Sequence, residues 1–230
     1  MNKKLIAASA IVFSLIALPA QAATPRTVTV TSDGSVKVTP DAVRVDAQVN
    51  VVAASSTDAL KAASTTATAV RASLTKNSVA SKDIATQTLT IFPEYNYTQE
   101  KGSVLIGYRA SQGFTITIRA AKNAGVIVDA IVAAGGNNLQ VSGVTPFVID
   151  DTKASSGARI NAVAKAKAKA AHYAALLGVK LGSVTTIVEN SAPSNIRQVF
   201  AMAKDSVGAT QIDLGQQDVS VSITVTWTIN

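Results

Sequence analysis

Apolar and polar positions alternate with a period of two near both ends of the chain. Thr27-Val28-Thr29-Val30-Thr31 opens a strand that continues toward Val38, and Val43, Val45, Ala47, Val49 and Val51 define a second one. Alternation of this kind marks a strand with one buried face. Thr39-Pro40-Asp41-Ala42 between them reads as a turn with proline presetting φ, so the spacing predicts an antiparallel pair at the start. The clearest alternation is the last, through Val219, Val221, Ile223, Val225, Trp227 and Ile229.

Elsewhere the period shifts to three and four. Ser55 and Asp58 form a capping-box-like start, and Leu60, Ala63, Ala67, Val70 and Leu74 then make a helical stripe that Asn77 stops. Leu89 and Ile91 belong to a strand running to Tyr97. A polar loop over 99–103 and a returning strand from Leu105 to Arg119 complete a hairpin. Lys122 to Ala134 reads as a helix ended by Gly135-Gly136, and Leu139 to Ile149 as a strand. A long alanine- and lysine-rich helix, about Ala154 to Leu177, carries an expected apolar stripe of Ile160, Val163, Ala166, Ala170, Tyr173 and Leu177. Ser183 to Asn190 is a further strand, and Ser191 to Gly215 is the least regular stretch. The order ββαββαβαββ predicts an α+β fold, mainly antiparallel sheet with helices packed on one face.

The first 22 residues do not belong to that fold. Lys3 and Lys4 precede an apolar run from Leu5 to Leu18, Pro19 breaks it, and Ala20 and Ala22 stand at the −3 and −1 positions of a signal peptidase site. This is the pattern of a cleaved secretory signal, which makes Ala23 the new N-terminus and the periplasm the expected location. The apolar run is shorter than the ~20 residues of a spanning helix, so no integral membrane insertion is expected. Residues 23–230 are read as a single domain.

Composition narrows the chemistry. The chain has no cysteine, which removes a lipid-anchored cysteine, disulfides, thiol redox chemistry and thiolate metal sites. Net charge is +7, lowered to +5 without Lys3 and Lys4. That balance suits solubility and also anionic envelope partners such as lipid headgroups. Aromatic residues are few and basic residues form no dense run, so nucleic acid is not an expected partner.

Four landmarks, in order, carry a family resemblance. They are Val36 to Ala47 with its Thr-Pro-Asp-Ala turn; Lys82-Asp83-Ile84-Ala85-Thr86 followed by Ile91 to Tyr97; Gly107-Tyr108-Arg109-Ala110; and Ala158-Arg159 with the alanine-lysine helix and Leu177 to Gly182. Together they resemble the SIMPL-domain family of bacterial envelope proteins, which includes periplasmic oxidative-stress defence proteins and a periplasmic immunogenic protein. The resemblance implies a periplasmic α+β domain, assembly into oligomers and a loose link to oxidative stress. It supplies no catalytic residue.

The residues themselves supply none either. His172 is the single histidine and lies beside Lys165 and Lys169 on a helical wheel, which opposes a bound cation. No Gly-x-Ser-x-Gly elbow occurs. Asp150-Asp151 before the long helix reads as capping rather than acid–base catalysis. No catalytic, cofactor or metal site is therefore expected, and the protein is read as non-enzymatic. Arg159 falls among apolar positions and is expected to make a structural ion pair or an interface contact. Tyr95, Tyr97 and Tyr108 on the hairpin suggest cross-strand aromatic packing or a subunit contact. Phe200 in the irregular stretch is a second candidate contact. The function that fits is self-assembly or binding in the cell envelope, with a homo-oligomer and an envelope component as partners. The alternative is a carrier for a small apolar or envelope-derived ligand.

Overall fold

A computed structural model describes residues 25–190, 198–199 and 210–230. In chain order the elements are β1 (Thr27–Val38), β2 (Ala42–Ala53), α1 (Ser56–Lys76), β3 (Ile84–Thr98), β4 (Gly102–Ile118), α2 (Ala124–Gly135), β5 (Leu139–Phe147), α3 (Thr152–Leu176), β6 (Leu181–Asn190), β7 (Gln198–Val199) and β8 (Gln216–Ile229). The fold is α+β with antiparallel pairing throughout. The strands divide into two sheets, β1-β8-β6 with β7 also on β8, and β3-β4-β2-β5.

That division corrects one expectation. β1 and β2 do not pair with each other. β1 pairs along its length with β8, from Thr27 opposite Thr228 to Val38 opposite Gln217, while β2 lies between β4 and β5. The Thr39-Pro40-Asp41 segment is a crossing from one sheet to the other. Asp41 holds it there: its side chain accepts from the Ile149 N–H at 2.9 Å and its carbonyl from the Ala121 N–H at 3.3 Å. The buried Gln217 side chain adds a further tie, donating to the Pro146 carbonyl at 2.6 Å.

Each sheet has its own apolar cluster. On the first, Val43, Val45, Ala47 and Val49 of β2 and Phe114, Ile116 and Ile118 of β4 meet Ala63, Ala67, Val70 and Leu74 of α1 and Ile127, Val128 and Ile131 of α2. The opposite face of that sheet is polar, with Thr115 donating to Asp46 and Ser111 to Asn50. α1 starts as its sequence requires: Ser55 Oγ accepts from the Asp58 N–H at 3.1 Å and donates to the Asp58 carboxylate at 2.7 Å.

The second cluster joins Val30 of β1 and Ile223, Val225 and Trp227 of β8 to Ala162, Ala166 and Ala170 of α3. Here the expected helix stripe needs correction. Ala154, Ala158, Ala162, Ala166, Ala170 and Ala174 are buried, whereas Ile160, Val163, Tyr173 and Leu177 are exposed. Closeness of approach is the reason. A Cβ at Gly34 of β1 would overlap the Ala158 carbonyl oxygen and the Ala162 nitrogen, so the helix rests on bare strand backbone. Only methyl groups fit beneath it, and the larger apolar side chains are turned outward.

Candidate functional site

β3 and β4 are longer than the strands beside them. β2 pairs with β4 only from Ile118 back to Tyr108, and β3 continues with β4 to Thr98 opposite Gly102. Residues 94–98 and 102–107 therefore form a two-stranded ribbon that extends past the four-stranded sheet. β3 is also the sheet's edge strand. Its outer backbone groups have no strand partner among the described residues, the situation in which strands recruit further chains.

The ribbon is apolar as well as long. Tyr97 is 76% exposed, Tyr95 56% and Ile106 55%, with Val104 and Leu105 also open. Tyr95 is opposite Leu105 and Tyr97 opposite Ser103, so Tyr95, Tyr97 and Leu105 share one face. Along the edge strand Leu89, Ile91 and Phe92 continue the exposed apolar surface. An isolated two-stranded ribbon is marginal in water, and this one presents aromatic surface that costs free energy to leave wet. Tyr108 does not join this group. It lies opposite Pro93 and Ala53, half-buried, and packs on the first core cluster.

An arginine pins the ribbon's base. Arg109 donates from Nε and Nη2 to the two Glu94 carboxylate oxygens at 2.8 and 2.7 Å. These hydrogen bonds hold the Glu94 carboxyl below its ordinary pKa. The same bidentate device recurs twice. Arg119 at the end of β4 grips Asp83 at 2.9 and 2.8 Å, and Arg159 of α3 grips Glu189 of β6 at 2.8 and 3.0 Å. Arg159 thus ties the last helix to the edge strand of its sheet. Its partner is 30 residues away in sequence, and the sequence carries no local signal for it.

Asp83 is the most enclosed acid of the three, with its side chain 7% exposed. Donation from Arg119 holds its pKa below the ordinary value. A carboxylate whose folded pKa is depressed stabilises the fold above its unfolded pKa, and that contribution disappears as pH falls through the folded value. Asp83→Asn is therefore expected to be less stable than wild type at neutral pH and to lose that disadvantage below roughly pH 4. Denaturant unfolding at neutral pH and in acid checks this. An unchanged gap between the two proteins would refute the linkage.

The remaining candidates are placed as follows. His172 is exposed on α3. Among the described residues no three of His, Asp and Glu are grouped to hold a metal. Ala20, Ala22, Ala23 and Phe200 lie outside the described residues. A cleft of about 420 Å³ lies beside Arg119 and Asp83, floored by Val79, Ile118 and Ile127. Its lining mixes Lys82, Asn77 and Asn123 with these apolar groups. Among the described residues no helix is long and apolar enough to cross a membrane.

A two-sheet α+β chain with an apolar ribbon at one sheet edge is the class of protein this structure defines. The chain belongs to the SIMPL family, described as "Protein of unknown function (DUF541)", whose model matches residues 28–227. It is 30% identical over 218 residues to the "26 kDa periplasmic immunogenic protein" of Brucella melitensis, covering 89% of this chain and 85% of that one. It is 33% identical over 162 residues to the "Uncharacterized protein YggE" of Escherichia coli, covering 70% of this chain and 65% of that one.

Proposed function

We propose that this is a non-enzymatic periplasmic protein that acts through self-assembly, with the β3–β4 ribbon and its edge as the contact between copies. The observation that carries the reading is the ribbon itself, which extends beyond its sheet with Tyr95, Tyr97 and Leu105 open on one face. A second copy covers both of its liabilities at once. It pairs or shields the β3 edge, and it buries aromatic side chains whose two χ angles make ordering cheap. The export pattern of residues 1–22 and the relative named as periplasmic support the location. Any part in oxidative-stress defence is indirect in this reading, because a chain without cysteine has no thiol to reduce peroxide.

Tyr97 supplies the test. Tyr97→Asp places a charge on an exposed strand position, so the monomer keeps its fold while a contact that buries Tyr97 must desolvate the carboxylate. The exported protein, starting at Ala23 by mass spectrometry, is expected to shift toward monomer in light scattering. Its circular dichroism should be unchanged. A variant that assembles as wild type does would remove the ribbon from the contact. A wild-type monomer that binds an apolar carboxylate in the cleft beside Arg119 would favour the carrier reading instead.

A further inference from the structure

We propose that the cleft between the end of α1 and the start of α2 binds a small organic carboxylate. Its volume of about 420 Å³ is in the range of small-molecule sites. Two chain segments border it, 76–83 and 117–127. Together they carry Lys76, Lys82, Arg119 and Lys122 and a single acid, Asp83. All three ion pairs among the described residues are made by arginine, so none of these lysines is in one. Lys82 and Arg119 line the cleft itself. Arg119 gives only Nε and Nη2 to Asp83, which leaves the two N–H groups of Nη1, and half of its side chain is exposed. Asp41, which also acts on Arg119, is outside the lining and accepts from the Ile149 N–H.

A strained serine belongs to the same lining. Ser78 has φ 65° and is the one non-glycine residue with positive φ among the described residues. It ends α1 in a turn that the structure builds twice. After α1, the Ser78 N–H donates to the Thr75 carbonyl and the Val79 N–H to the Leu74 carbonyl. After α3, the Gly178 N–H donates to the Ala175 carbonyl and the Val179 N–H to the Ala174 carbonyl, with φ 68° at Gly178. Glycine suits that position because a Cβ is crowded in the left-handed region. α3 uses glycine, and α1 uses serine at a cost in backbone strain. What the serine adds is a hydroxyl in the lining of a cleft that already holds two cations. Strain kept at such a place marks a site where the side chain has work beyond the fold.

Charge and lining select the ligand. Lys82 and Arg119 against Asp83 leave one positive charge on the cleft. A carboxylate cancels it, whereas a phosphate dianion would bring an excess of negative charge beside Asp83. The floor of Val79, Ile118 and Ile127 suits the carbon body of an organic acid rather than a bare ion. Asn123, also in the lining, makes no side-chain cap on α2, so its amide is available to the ligand. The cleft is at the opposite end of β4 from the ribbon, with about 35 Å of strand between Gly107 and Ile118, so it is independent of the contact between copies.

The experiment titrates hexanoate and N-acetylleucine against the exported protein and reads binding by ligand-observed saturation-transfer NMR. Both carboxylates are expected to bind, and their neutral counterparts hexanamide and N-acetylleucinamide to bind about tenfold more weakly or less. Lys82→Gln should lower carboxylate affinity about tenfold. Ser78→Gly should lower it a few-fold and unfold at an equal or higher temperature than wild type, because glycine relieves the strained turn. A serine kept only for the fold would not separate those two readouts. Thermal unfolding also checks that Lys82→Gln stays folded. Absence of binding by either carboxylate overturns the proposal, as does equal binding of the amides. Undiminished binding by Lys82→Gln or by Ser78→Gly overturns it too. Inorganic phosphate that displaces the carboxylates at a lower concentration than they need to bind would make this a phosphate site and overturn the assignment. A wild-type protein that binds the carboxylates as a monomer would remove the ribbon contact and leave the cleft standing.

Discussion

A chain ending at Asp218 is expected not to fold. The deletion takes Val219 to Asn230 and with them most of β8, the strand that lies between β1 and β6. β1 loses ten of its paired positions, since only Lys37 and Val38 face residues that remain. β6 loses every partner, because its register on β8 runs from Ile229 to Ser222. α3 then keeps only Val30 of β1 from the buried sheet side of its core, for Ile223, Val225 and Trp227 go with β8. Two unpaired strands and an uncovered alanine face cannot offset the conformational entropy of ordering them, and the exposed edges favour aggregation. Expression and solubility of the truncated chain, with circular dichroism of whatever remains soluble, checks this. A soluble, cooperatively folding product would make β8 peripheral.

Within that strand one side chain dominates. Trp227 is 5% exposed, lies opposite Val28 of β1, and packs in the cluster with Ala166 and Ala170 of α3. Trp227→Ala removes the largest apolar body from a core otherwise built of valine, isoleucine and alanine. The alanines of α3 are too small to refill the space, and the helix cannot sink further because it already rests on Gly34. The cavity therefore persists, and the expected loss is about 3–5 kcal/mol of unfolding free energy. Equilibrium denaturation measures it. A loss under about 1 kcal/mol would mean that the core collapses around the gap or that the ring is not buried.

Local signals in the sequence wrote most of the elements. The alternation of Val219 to Ile229 needed only period two, the Ser55–Asp58 cap only a three-residue spacing, and Gly136 and Gly178 adopt the positive φ that follows their helices. Pairing was not local. Thr39-Pro40-Asp41-Ala42 has the chemistry of a tight turn, yet β1 finds a partner almost two hundred residues away because the two alternating stretches match in length and in apolar face. The buried stripe on α3 differs from the one its hydrophobicity predicts for a related reason. Hydrophobicity ranks isoleucine, valine and leucine above alanine, but depth of approach decides which face is buried, and the residue that sets the depth, Gly34, is on another element.

The candidate site divides the same way. Tyr95 and Tyr97 alternate visibly, and their exposure on one face follows from that. The ribbon's projection does not, because it depends on β2 ending at Ala53 while β4 continues to Gly102. Tyr108 looked equivalent to the other tyrosines in the chain and is separated from them only by where the sheet ends. Arg159 carried its own warning as a charge among apolar neighbours, but the identity of Glu189 as its partner is a property of the fold.

The proposed function depends on assembly through the ribbon. The most direct measurement is the solution mass of the exported protein by light scattering at tens of micromolar, roughly where a micromolar contact is occupied. Wild type is expected to have a multiple of the protomer mass, and Tyr97→Asp to shift toward the protomer. A wild-type protein with the mass of a single chain at that concentration would contradict it.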